Sequence, residues 1–137
     1  DKNTLKKIGK WETIFEATDL LEKSAQSQGG GGKVLISGDS LFFSVGFAKQ
    51  EIIDGKVKSN SQDPKSNFGK NYEYNLVTKN LKIKSFGHRN VQGMTISSGG
   101  DLLSVEHGPQ GGDEIKHGTL TIECNGGWGS SSPPESP

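Results

Sequence analysis

Two stretches of this chain repeat one another. Residues 34–45 align without a gap onto residues 94–105, sixty positions later. Ile36/Ile96, Ser37/Ser97, Ser44/Ser104 and Val45/Val105 are identical, and Phe42/Leu102 and Phe43/Leu103 are conservative. Each stretch is a pair of β-rich apolar runs around a turn, Gly38-Asp39-Ser40 in the first and Ser98-Gly99-Gly100-Asp101 in the second. That is a hairpin signal. Two further runs, 72–76 and 81–86, lie between the hairpins. In the second, Leu81, Ile83 and Ser85 alternate with Lys82 and Lys84, the pattern of a half-buried antiparallel strand. The same hairpin twice, with two strands between, describes successive blades of a β-propeller. The spacing exceeds the roughly 40–50 residues of an ordinary blade, and the polar insertion between Phe47 and Phe68 accounts for the excess.

Composition agrees with an all-β reading. Only 29% of residues are hydrophobic and 20 are glycine, which suits short strands and many turns rather than a helical bundle. Lys plus Arg and Asp plus Glu balance at 16 each, so the electrostatic footprint of a nucleic-acid binder is missing. No basic cluster marks a membrane surface, and no apolar run is long enough to span a bilayer. Cys124 is the single cysteine; it permits no internal disulfide and reads as a small buried hydrophobe. Residues 1–10 form a polar lead-in, 11–17 read as a strand, and 119–124 as a last strand. Residues 18–25 read as a short helix capped by Thr18 or Asp19, or equally as a polar loop. The Ser/Pro-rich residues 129–137 read as a disordered tail. A partial propeller over 11–128 thus supplies two to three blades. An open ring of that size exposes sheet edges and is expected to be a piece of a longer parent chain. The start at Asp1, with neither methionine nor signal segment, reads as a mature or truncated product.

Three glycine-rich places could carry chemistry. Residues 29–33 (GGGGK) fail as a phosphate loop, since Ser27 and Val34 stand where a glycine and a Ser or Thr are required. Residues 87–93 (GHRNVQG) form a polar turn between strands. Such a turn can aim an arginine fork and an amide at one ligand, or serve as a structural polar corner; spacing alone favours neither. Residues 106–114 (EHGPQGGDE) follow a strand with an irregular turn and two acids, a donor set suited to a hard cation such as calcium. His107 and His117 fit no zinc pattern.

The runs GHRNVQGM and EHGPQGGDEI, with WETIFEA, the glycine run before KVLISGDSLFFSVG, and NFGKNYEYNL, resemble the soluble PQQ-dependent aldose and glucose dehydrogenases of the glucose/sorbosone dehydrogenase family. NGGWG at 125–129 is a degraded likeness of that family's NYGWP. The resemblance implies part of a six-bladed propeller of four-stranded antiparallel blades, located in the periplasm or secreted. It implies that Arg89 and Asn90 touch the quinone oxygens of PQQ, with His107 in the pocket wall. Gly108 and Pro109 would give carbonyls to a calcium ion. Glu114, with Asp113 beside it, would bind a second, structural calcium. The partners implied are a small-molecule sugar and the remaining blades of the parent chain. The reaction implied is oxidation of a sugar hydroxyl with hydride transfer to PQQ.

Two departures stand against that activity. The family's general-base histidine position falls on Gly29, or on Gln28 with a shift, and neither accepts a proton at neutral pH. The family's sugar-contacting aspartate position is Phe47. A general base is worth about 10²–10⁴-fold, so its loss leaves a second expectation: a non-catalytic, calcium-containing propeller that binds carbohydrate or protein. Val91 replaces the usual proline, which loosens a turn without altering chemistry.

Overall fold

The computed structural model of the chain describes residues 9–17, 30–46, 50–53, 56–108, 112–118 and 124–128. Every regular element among them is a β-strand. These are β1 (Gly31–Ser37), β2 (Ser40–Val45), β3 (Gln50–Ile53), β4 (Lys56–Ser59), β5 (Lys70–Asn75), β6 (Leu81–Phe86), β7 (Val91–Ile96), β8 (Leu102–Glu106), β9 (Glu114–Gly118) and β10 (Cys124–Asn125). The largest sheet runs β1-β2-β5-β6-β10; its first four strands form an antiparallel meander, and the short β10 joins β6 in parallel. A second sheet, β7-β8-β9, is antiparallel, and β3 pairs β4 as a separate hairpin. The architecture is all-β and consistent with part of a propeller: a four-stranded meander followed by the strands of a second.

Alternation along β2 sets the two faces of the first sheet. Phe42 and Ser44 are buried on one face. Phe43 points to the other, where its ring stacks on Tyr72 with centroids 5.1 Å apart. Phe15 closes this cluster, 5.1 Å from Phe43 and 4.8 Å from Tyr72. Residues 11–17, read above as a strand, belong to no strand. The Phe15 ring is used to cap the aromatic pair, while Trp11 projects into solvent.

The repeat is real but carries a one-residue offset. In the first hairpin Val34 pairs with Phe43 and Ile36 with Leu41, across the Gly38-Asp39 turn. In the second, Met94 pairs with Ser104 and Ile96 with Leu102. Its longer turn is closed by Ser97 N donating to Asp101 O at 2.8 Å and Gly100 N to Ser97 O at 3.0 Å. Thus Met94 follows Val34 by sixty residues, but Ser104 follows Phe43 by sixty-one. Because side chains alternate with period two, one residue flips every face. Ser44, Asn71 and Ser85 share a face by register, and Leu102 and Ser104 line the same inter-sheet cavity as Asn71 and Ser85. Rotational equivalence therefore matches Leu41, Phe43 and Val45 with Leu102, Ser104 and Glu106. The ungapped identities Ser44/Ser104 and Val45/Val105 fall on opposite faces.

Other boundaries also moved. The stretch 47–68, read as polar insertion, contains the β3–β4 hairpin. The last strand of the second sheet is β9, while Cys124 begins β10 beside β6. Residues 18–25, Gln28, Gly29, Phe47, Pro109, 119–123 and the 129–137 tail lie outside the described residues. Among the described residues no helix is long and apolar enough to cross a membrane.

Candidate functional site

The site forms where β6 passes into β7. Phe86 ends β6, and Gly87 turns the chain with φ at 71°. That left-handed φ favours glycine, and a Cβ there would sit 2.9 Å from the backbone nitrogen of Gly127, so the turn can lie against the 124–128 segment only with glycine at 87.

His88 is the buried anchor of the turn. Its Nε2 lies 2.7 Å from Ser85 Oγ and 3.0 Å from Asn71 Nδ2. Its Nδ1 lies 3.4 Å from Glu106 Oε1. An amide nitrogen only donates, so Nε2 accepts and the ring proton sits on Nδ1, facing the carboxylate. The other Glu106 oxygen, Oε2, accepts the backbone N–H of Arg89 at 2.8 Å. Lys116 Nζ approaches Glu106 Oε1 at 3.8 Å. Burial pushes the Glu106 carboxyl up, but the His88 hydrogen bond, the Arg89 N–H and the Lys116 charge together outweigh it. The group is held below the ordinary carboxylate value. Glu106 thus fixes the backbone from which the Arg89 side chain departs.

The Arg89 guanidinium reaches across a cleft of about 240 Å³ lined by Arg89, Glu106, His107, Gly108, Glu114 and Trp128. One guanidinium nitrogen donates to His107 O at 3.0 Å and to Gly108 O at 3.2 Å. The group lies 5.3 Å from the centroid of the Trp128 ring, a cation–π distance. Asp113 Oδ1 accepts from Gly108 N at 3.1 Å and lies 3.3 Å from His107 Nδ1; these two bonds hold its carboxyl below the ordinary value. Glu114 forms an ion pair with Lys116.

The structure therefore gathers Arg89, His107, Gly108 and Glu114 around one cleft. Asn90 is placed elsewhere. Its Oδ1 accepts from Gly31 N at 3.1 Å and from Gln92 Nε2 at 2.7 Å, joining β1 to the start of β7. His88, Glu106 and Asn71, which build the support beneath Arg89, were not singled out from sequence. All three stood in quoted motifs, His88 in GHRNVQGM, Glu106 in EHGPQGGDEI and Asn71 in NFGKNYEYNL, but spacing gave none of them a role.

Of the calcium ligands that the resemblance implies, Gly108 O accepts from the Arg89 guanidinium and Glu114 pairs with the Lys116 ammonium, while Pro109 lies outside the described residues. Among the described residues no group of three His, Cys, Asp or Glu side chains could hold a metal ion. On the far wall of the cleft the guanidinium lies over the Trp128 ring, a forked cation against an aromatic face.

The scaffold is all-β and consistent with part of a propeller, and the cleft lies at its strand ends, where loops held by a rigid sheet commonly carry function. Among such scaffolds the assignment is specific. The glucose/sorbosone dehydrogenase family model matches residues 1–132, and the chain belongs to that family. A comparison with curated proteins returned no match.

Proposed function

We propose that this chain forms the cofactor-facing wall of a sugar-dehydrogenase-like propeller that binds PQQ, with further blades of the parent chain completing the pocket. The observation that carries this reading is the Arg89 guanidinium held over Trp128 at the cleft. PQQ, when bound, would accept the hydride that leaves the carbon bearing a sugar hydroxyl, while the hydroxyl gives up its proton to a base. The chain's own residues do the rest of what can be argued. Arg89 offers a fixed positive charge where oxygen charge develops, a preorganised contribution to electrostatic stabilisation. Glu106 and His88 hold its backbone. Trp128 backs the guanidinium and keeps it in place.

A specific observation favours a second reading, in which the propeller binds carbohydrate or protein without catalysis. The residues at the base position, Gly29 or Gln28, accept no proton, and Phe47 stands at the position of the sugar-contacting acid.

Titration of the full parent protein with PQQ, followed by tryptophan emission and then by dye reduction with aldoses, separates the two. Binding with turnover supports the dehydrogenase, and binding without turnover the second reading. An absence of PQQ binding overturns the cofactor wall itself. Arg89→Ala should weaken PQQ binding about tenfold to a hundredfold, the cost of losing a hydrogen bond to a charged group. An unchanged affinity would remove Arg89 from the quinone side.

A further inference from the structure

Lys70, the first residue of β5, has 1% of its surface exposed and is among the largest fully buried side chains. Its Nζ donates to Asn60 O at 3.1 Å, Ser61 O at 2.9 Å and Phe68 O at 2.9 Å. An ammonium has three donors, and each meets a backbone carbonyl. All three acceptors belong to one loop, residues 60–69. An ammonium taken out of water loses its hydration, so a buried lysine persists where such a cage receives it.

That loop touches both sides of the cleft. Ser61 O accepts from Gly87 N at 2.9 Å, and Gly69 O accepts from His88 N at 3.1 Å. These bonds hold the turn that carries Arg89. On the other side, Ser61 Oγ and Gln62 Nε2 donate to Trp128 O at 2.7 Å and 2.8 Å. The Gln62 and Asn125 amides pair reciprocally at 3.0 Å each way.

We propose that Lys70 is a positioning residue: its ammonium is an internal cation around which loop 60–69 folds, and through Ser61 and Gln62 it sets Trp128 against Arg89. This rests on the cleft being the functional site, but not on which ligand the cleft takes. The β5 strand thereby carries information from the sheet interior to the cleft wall without touching the ligand.

The test reads Trp128 in a Trp11→Phe background, with no ligand present. Lys70→Met keeps the length and apolar stem of the side chain while removing the charge. Its Trp128 emission should shift to the red and lose its protection from acrylamide. Lys70→Ala should show the same loss, and added n-propylammonium, which replaces the missing atoms, should restore it. Lys70→Met that folds with unchanged Trp128 emission and quenching overturns the proposal. So does a folded Lys70→Ala that propylammonium does not restore, since the ammonium would then not be what the loop requires. Should either variant lose its cooperative melt, the double variant Ser61→Ala, Gln62→Ala decides. It leaves Lys70 in place and breaks both side-chain links to Trp128 O, so an undisturbed Trp128 in that variant overturns the proposal. A failure of PQQ to bind the wild-type protein, by contrast, leaves every one of these readouts intact.

Discussion

Gly69 shows how tightly single residues constrain this cleft. Its φ is 66°, in the left-handed region that costs an L side chain about 1–2 kcal/mol. A Cβ there would stand 2.2 Å from Ser61 Cβ and 2.8 Å from His88 O. Neither neighbour is a flexible tip that can swing aside. Gly69→Ala therefore adds overpacking of about 1–3 kcal/mol to the backbone strain. The expected loss of stability is about 3 kcal/mol, read as a drop in the urea midpoint at constant slope. A change below about 0.5 kcal/mol would show that Ser61 and the His88 carbonyl are not fixed where they are described. The same residue marks the limit of sequence reading. NFGK appears in the motif that carries the family resemblance, yet nothing in the letters says that the glycine is squeezed between a serine and a carbonyl. Nor do they say that the adjoining lysine points inward.

At the scale of elements, the Glu106 carboxylate ties the end of β8 to the β6–β7 turn and to Lys116 on β9. Its folded pKa lies below the ordinary value of 4.5. A depressed carboxylate contributes stability that is fully present above the unfolded value and lost as pH falls through the folded one. Acid should therefore loosen this junction progressively below about pH 4.5. Glu106→Gln should be less stable at neutral pH and should show a shallower acid limb in urea melts taken across that range. Parallel acid limbs for the two proteins would refute the linkage. Most strands were legible in advance: β1–β2 and β7–β8 fall on the apolar runs either side of a turn, and β5–β6 on the two runs between them, the second of which alternates strictly. The β3–β4 hairpin was missed although Asp54-Gly55, a favoured hairpin dipeptide, stands between its strands; the surrounding charges dominated the reading. β9 offers only Ile115 among polar residues, and its backbone is a strand because β8 presents a free edge to it. Residues 11–17 erred the other way, since a β-forming sequence found no edge to join and placed Phe15 on an aromatic pair instead.

For the whole molecule, the one-residue offset in the repeat decides which faces are covered. Met94 and Ile96 of β7 share a face with Leu102 and Ser104, which the second sheet turns toward the first. Their counterparts on β1, Val34 and Ile36, are 63% and 65% exposed. Two adjacent aliphatic side chains left in water on a sheet face are the mark of a surface that another element covers. In a closed propeller that element is a preceding blade. The double substitution Val34→Lys, Ile36→Lys discriminates the two settings. In this chain by itself it should leave the unfolding free energy within about 0.5 kcal/mol, as for other surface changes, while reducing binding of a hydrophobic dye. In a parent protein whose further blades cover the face, it should cost several kcal/mol, since each buried aliphatic side chain is worth about 1.5–3 kcal/mol. A large loss in the isolated chain would mean that β1 is already packed there. No loss in the complete parent would mean that its blades close the ring without using this face.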